Sequence, residues 1–184
     1  MKKLLFLLIP LVIFSTACSS GGAQMRFLYD RLGVSDEKAA NDTFEKIFNA
    51  IQHQDETVFA DLFSENVRNE LIDLDEDITN AYSTIRGNLV SFEQRDGVFA
   101  EKDIEYGKIR KTIRSAYTVK TSEGLYYFAV MECLKDDFDI HNVGVTSVYM
   151  IRAEDWKQTY IYRGDGKWTP GINIVEPEED MELQ

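Results

Sequence analysis

The stretch YGKIRKTIRSAYTVKTSEGLYYFAVMECLK, residues 106–135, decides the fold. In its first half Ile109, Ile113, Tyr117 and Val119 share one parity, while Arg110, Thr112, Arg114, Thr118 and Lys120 fill the other. Alternation of this kind predicts a strand over 106–121 with one face in water and one on a core. Ser122-Glu123-Gly124 reads as a tight hairpin turn into a second strand, Leu125–Lys135, which is apolar on both parities and therefore central. Working outward, Leu89–Arg95 and Val143–Arg152 read as flanking strands. All three prolines, at 10, 170 and 177, lie outside residues 36–152, so none interrupts them.

Upstream the period changes to that of a helix. Ser35 is placed to cap a helix whose first turn carries Asp36 and Glu37, with Ala40, Phe44, Ile47, Phe48 and Ile51 on one face. Asp55 starts a short second helix carrying Val58, Phe59, Leu62 and Phe63, ended by Ser64 or Asn66. A third runs from Leu74 to about Arg86, with Ile78, Ala81, Tyr82 and Ile85 on one face and Gly87 as a left-handed cap. Helices followed by a run of strands predict an α+β fold, the first helix lying across a strongly bent antiparallel sheet. Near the C-terminus, Arg163-Gly164-Asp165-Gly166 reads as a hairpin turn between Tyr160–Tyr162 and Lys167-Trp168. Residues 159–174 are expected to fold back on the domain with Trp168 at least half covered.

The N-terminus carries a different message. Lys2 and Lys3 precede an apolar run from Leu4 to Phe14, too short for a membrane span of about 20 residues and fitting a secretory signal. Small residues Ser15, Thr16 and Ala17 lead to Cys18, one of two cysteines in the chain. That order resembles a bacterial lipoprotein signal, cut before a cysteine that takes a diacylglycerol thioether; Ser15 stands where the usual pattern has Leu. The expected organisation is a signal peptide over 1–17, a lipidated Cys18 with a tether over 18–34, one domain over 35–175 and an acidic tail over 176–184. The expected location is the extracytoplasmic face of the cell membrane.

A formal net charge of −12 opposes nucleic acid and adsorption to anionic headgroups through basic patches. With Cys18 lipidated, Cys133 reads as a small buried hydrophobe. Asp73-Leu74-Asp75-Glu76-Asp77 imitates a calcium loop but has Ile78 and Thr84 where the turn glycine and bidentate glutamate belong, so an acidic helix start explains it. Asp136–Asn142 is a second oxygen-rich stretch, read as a solvated loop between strands. Arg163-Gly164-Asp165 is turn chemistry, and Gly164–Lys167 lacks the spacing of a phosphate loop. No motif requires a cofactor or a metal.

One feature invites chemistry. Lys111 and Ser115 interrupt the apolar parity of the 106–121 strand, and Glu132 interrupts Phe128, Val130 and Leu134 in the next. Polar groups on a core-facing row need partners or a wet cavity. The simplest expectation puts Lys111 and Glu132 at strand ends or on a face open to water. The alternative is a pocket of Lys111, Ser115, Tyr117, Tyr127 and Glu132.

The segments ADLFSENV (60–67), LDEDI (74–78), Gly87, NVGVTSVYMIRAED (142–155) and GDGKWTPGI (164–172) resemble a family of small bacterial lipoproteins, domain-of-unknown-function family 5104. The arrangement is also similar to the nuclear-transport-factor-2-like (cystatin-like roll) superfamily. That resemblance implies a roll and assigns no catalytic residue. The functional expectation is a lipid-anchored binding or interaction domain without enzymatic activity, its partner an unidentified protein or small molecule. The alternative is an isomerase- or dehydratase-like enzyme drawing an acid–base pair from Glu132, Lys111, His141, Tyr117 and Tyr127.

Overall fold

The structure is a computed structural model that describes residues 35–156 and 167–175. The signal, Cys18, the tether, the Arg163–Gly166 turn and the acidic tail lie outside the described residues. Helix α1 spans Asp36–His53; the Ser35 hydroxyl accepts from the Lys38 N–H at 3.2 Å, and Asp36 and Glu37 occupy the first turn. Both features satisfy the free N–H groups and positive end of a helix. Its sheet-facing side is Ala40, Thr43, Phe44, Ile47 and Ile51, all buried.

Two short helices follow where one was expected. Helix α2, Glu56–Leu62, is capped by Asp55, and α3, Glu65–Glu70, by Ser64. Ser64 therefore ends one helix and opens the next. Its own N–H donates to the Val145 carbonyl at 2.9 Å, pinning the junction to the sheet. Gly144 makes that approach possible: a Cβ there would sit 2.5 Å from Ser64 Cα, and its φ of 152° suits glycine. Helix α4 spans Leu74–Thr84. Its C-terminus is capped from the sheet, the Tyr126 hydroxyl donating to Thr84 O and accepting from Arg86 N–H. Gly87 adopts φ 77° two residues past Ile85, where a Cβ would strike the Ser122 hydroxyl.

The described strands are β1 (Leu89–Gln94), β2 (Phe99–Glu105), β3 (Lys108–Thr121), β4 (Leu125–Asp136), β5 (Gly144–Arg152) and β6 (Gly171–Ile174). They form one open mixed sheet in the order β1-β3-β4-β5-β6, with β2 also on β3. The expected all-antiparallel sheet is corrected at its far edge, because β6 runs parallel to β5. The long strand expected from Tyr106 begins instead at Lys108. Tyr106 and Gly107, at φ 50° and 79°, form the two-residue turn of a β2–β3 hairpin.

Strands β1 and β2 are two halves of one edge. Gln94 pairs with Tyr117 and Phe99 with Arg114, so residues 95–98 oppose only 115 and 116, and the Arg95 N–H bridges the gap to Ala116 O. Further bulges fall at Lys111/Thr112 between β3 and β4 and at Met131/Glu132 between β4 and β5. Such insertions bend a sheet and re-aim neighbouring side chains.

The core lies between the helices and one face of this sheet, where Tyr117, Val119, Tyr126, Phe128, Val130, Val145, Val148 and Met150 meet α1, α2 and α4. On the other face, the Tyr149 hydroxyl accepts from the Thr169 N–H and donates to Lys167 O, and Trp168 meets the Tyr149 ring edge-on. Trp168 is more than half covered, as expected of this part of the arm. Among the described residues, no helix is long and apolar enough to cross a membrane.

Candidate functional site: a polar row beneath the first helix

Lys111, Ser115 and Tyr117 lie on the helix-facing side of β3, and Glu132 lies on the same side of β4, opposite Ile113. Helix α1 runs over them. At the outer end the Lys111 ammonium pairs with the Asp36 carboxylate of the first turn, the two side chains 29% and 30% exposed. Further in, the Thr43 hydroxyl donates to Glu132 Oε1 at 3.1 Å. The next helix residue, Phe44, stacks on Tyr117 with ring centroids 3.7 Å apart. The row therefore has a charged, part-exposed mouth, a polar middle and an aromatic floor.

Glu132 is only 2% exposed. The expectation of a strand end or a water-facing side fails for this residue, because α1 covers its parity of β4. Lys111 fits that expectation better, standing near the exposed start of β3 with its charge matched by Asp36. Two of the sheet's bulges fall beside this site, at Lys111/Thr112 and at Met131/Glu132.

Tyr117 is fully buried, and its hydroxyl has no hydrogen-bond partner. Burial is the main force pushing the phenol up to about 12; the neighbouring Ser115 hydroxyl pulls the other way without completing a hydrogen bond, and Glu132 adds to the rise. The phenol is therefore a permanent donor near neutral pH, and it senses negative potential from Glu132. Buried polar atoms without partners are uncommon, so this one is informative.

Tyr127 does not belong to the row. It stands on the opposite face of β4, half-buried, with the Arg95 guanidinium 4.0 Å from its ring centroid and Trp156 edge-on at 5.9 Å. The expected pocket thus loses Tyr127, whose parity differs from that of Glu132, and gains Thr43 and Asp36 from α1.

His141 is engaged with a different partner. Its Nδ1 meets Glu65 at 2.7 Å on the surface, and that hydrogen bond with the Glu65 charge raises its pKa above the usual imidazole value. Nearby, the Asp136 carboxylate accepts from Arg110 Nε, Asn142 Nδ2 and the Phe138 and Asp139 N–H groups at 2.8–3.2 Å. Its oxygens are spent on closing the β4–β5 connection, which accounts for the oxygen-rich sequence there. Among the described residues, no group of three or more His, Cys, Asp and Glu side chains is arranged to hold a metal ion. Cys133 is buried, its thiol directed at Lys135 O.

No curated protein matches the chain. Residues 46–153 match the family described as Domain of unknown function (DUF5104), an interval running from the middle of α1 through β5 and containing Lys111, Ser115, Tyr117 and Glu132. With more than half its length inside that match, the chain belongs to the DUF5104 family.

Proposed function

We propose that this protein is a lipid-anchored, extracytoplasmic binding domain of the nuclear-transport-factor-2-like roll type, tethered through Cys18 and holding a small polar ligand under α1. The anchoring rests on the signal-like N-terminus and the position of Cys18. The roll rests on the element order, with α1 crossing a sheet bent by bulges beneath it. The observation that carries binding is the partnerless, fully buried Tyr117 hydroxyl beside Glu132 and Ser115. A buried hydroxyl left unpaired costs about 1–3 kcal/mol, which a ligand accepting its hydrogen bond recovers.

Binding is favoured over acid–base catalysis by the same residues. A phenol held at about 12 exchanges no proton readily near neutral pH, Tyr127 lies on the opposite sheet face, and His141 is paired with Glu65. The test is a thermal-shift screen of small polar metabolites on the full chain carrying Cys18→Ser. A compound that stabilises this chain and not its Tyr117→Phe derivative supports the reading. Hits that are all indifferent to Tyr117→Phe, Thr43→Val and Ser115→Ala sink it.

A further inference from the structure

We infer that the end of the sheet formed by the β2–β3 hairpin tip and the β4–β5 connection rests on the lipid bilayer, with Ile104, Tyr106, Phe138 and Ile140 dipping into the headgroup boundary. This deepens the anchoring half of the reading above and rests on it. Every residue of β2 is exposed, and so are Tyr106, Gly107 and Lys108 beyond it. Helix α1 starts level with Lys111, where Asp36 pairs with that ammonium. From Lys111 to the turn at Gly107 the hairpin runs on for about 13 Å. At its tip Tyr106 takes φ 50° in a turn whose two positions both need positive φ. Asn, Asp or Gly is at ease there and a bulky residue is strained. The Tyr106 side chain is 96% exposed, so packing within the described fold does not offset that strain. Ile104 is exposed in the same hairpin. The β4–β5 connection lies against this end: the Asp137 N–H donates to Ile109 O and the Ile109 N–H to the Asp137 carboxylate, both at 2.9 Å. It carries Phe138 and Ile140, both exposed, with Lys108 Nζ 5.3 Å from the Phe138 ring centroid. Exposed apolar groups gathered in one place mark a contact surface.

The bilayer is singled out as the occupant by where the chain enters the domain. Helix α1 begins at this end, and Cys18 precedes its cap Ser35 by 17 residues. A segment of that length spans at most about 60 Å. The opposite hairpin, Ser122–Gly124, lies the length of β3 away, about 45 Å for 14 residues. The end nearest the lipid is therefore the one with the exposed apolar groups. Tethering raises the effective concentration of a contact too weak to hold alone. Tyr rings and the stems of Lys and Arg are the side chains that settle at a membrane–water boundary. The charges at this end are matched in place: Glu105 faces Lys108, Asp103 faces Arg110, and Asp36 holds Lys111. The contact is thus apolar and needs no anionic lipid.

The test places a fluorescent dye on Glu105→Cys at the tip or on Glu123→Cys at the far hairpin. Cys133 is buried and an acylated Cys18 has no free thiol, so the new cysteine takes the dye. The lipidated full chain is reconstituted into phosphatidylcholine vesicles whose acyl chains carry a nitroxide quencher near the headgroup. The dye at 105 is expected to lose most of its emission and the dye at 123 to keep it. Adding Ile104→Asn with Tyr106→Asn should restore emission at 105 while the protein stays on the vesicles. Both positions are exposed and Asn suits the turn; should that variant lose the native fold, Phe138→Ser with Ile140→Ser serves for the same comparison. Equal emission at 105 and 123, or quenching at 105 that ignores the substitutions, overturns this inference while the lipid anchor stands. A wild-type chain that acquires no lipid ends the anchoring reading and this inference together. Shielding of the dye at 105 in the Cys18→Ser chain, growing with protein concentration in the absence of vesicles, would assign the tip to a second copy and overturn the bilayer contact.

Discussion

The ring of Phe44 lies flat on that of Tyr117, 3.7 Å between centroids and 7° from parallel, while Phe92 and Phe128 meet Phe44 edge-on at 5.1 and 5.6 Å. Offset and edge-to-face aromatic pairs add to the area they bury. This cluster locks α1 to three strands at once. Phe44→Ala is expected to cost about 3–5 kcal/mol in chemical denaturation, as for a buried aromatic truncated in a core. Phe48, slightly exposed and, among the described residues, in ring contact with Phe92 alone, is expected to cost less. Equal losses at the two positions would show that the stack does not organise the packing.

Asp136 gives the fold an acid-sensitive joint. Burial alone raises its pKa, but hydrogen bonds from Asn142, the Phe138 and Asp139 N–H groups and Arg110 outweigh burial and hold it below the usual carboxylate range. A depressed carboxyl stabilises the fold above its unfolded pKa, and that stability is lost as pH falls through the folded value. Asp136→Asn is expected to cost about 2–3 kcal/mol at neutral pH, typical of lost hydrogen bonds to a charged group. The gap between wild type and variant should close as pH drops below about 4. A gap independent of pH would contradict the assignment.

His141 has the opposite sign. Its pKa is raised by Glu65, so the pairing contributes below the ordinary imidazole value of about 6.5 and disappears as pH rises through the elevated value. An NMR titration should place the His141 midpoint above about 6.5, and Glu65→Gln should bring it back down. A midpoint unmoved by Glu65→Gln would refute the pairing.

The Tyr149 hydroxyl holds both Lys167 O and Thr169 N–H, at 2.9 and 2.6 Å. Trypsin is therefore expected to spare the bond after Lys167 in the native protein. Tyr149→Phe should open that bond to cleavage while leaving the core helices intact. Equal cutting before and after the substitution would mean the hydroxyl does not hold the arm.

Cys18→Ser is expected to shift the protein from the membrane fraction to a soluble one. Mass spectrometry of the wild-type N-terminus should find a diacylglycerol-sized adduct on Cys18. A membrane-bound Cys18→Ser protein together with an unmodified wild-type cysteine would end the lipoprotein proposal.

Residue parity made much of this architecture readable. The alternation along 109–119 set the sheet's wet and dry sides, and Ser35, Asp55 and the Phe44/Ile47/Phe48 spacing located two helix starts and a buried face. Strand β2 escaped because every residue in it is exposed, leaving no alternation of burial to read. Its strand character comes from pairing with β3 through the Tyr106-Gly107 turn, where Tyr at positive φ is an unusual turn residue. The parallel β6 escaped because only tertiary placement brings 171–174 beside 147–150. In the row, parity alone set Lys111, Ser115 and Tyr117 together, and it would also have removed Tyr127, five positions from Glu132 in one strand. Thr43 was readable too, falling with Ala40 and Ile47 at helical spacing. The ion pair of Asp36 with Lys111 depends on how α1 crosses the sheet, which no local pattern encodes.

The parallel pairing of Gly171–Ile174 with Ser147–Met150 also governs the order in which the chain can mature. The outer edge of β5 stays unpaired until residues 171–174 dock on it, and until then α4, earlier in the chain, lacks the β6 strand it packs against. A chain in which β6 has not yet docked thus keeps an open, strongly apolar strand edge, the kind that invites pairing with other chains. Premature stops before Gly171 should leave aggregation-prone fragments instead of a smaller working domain.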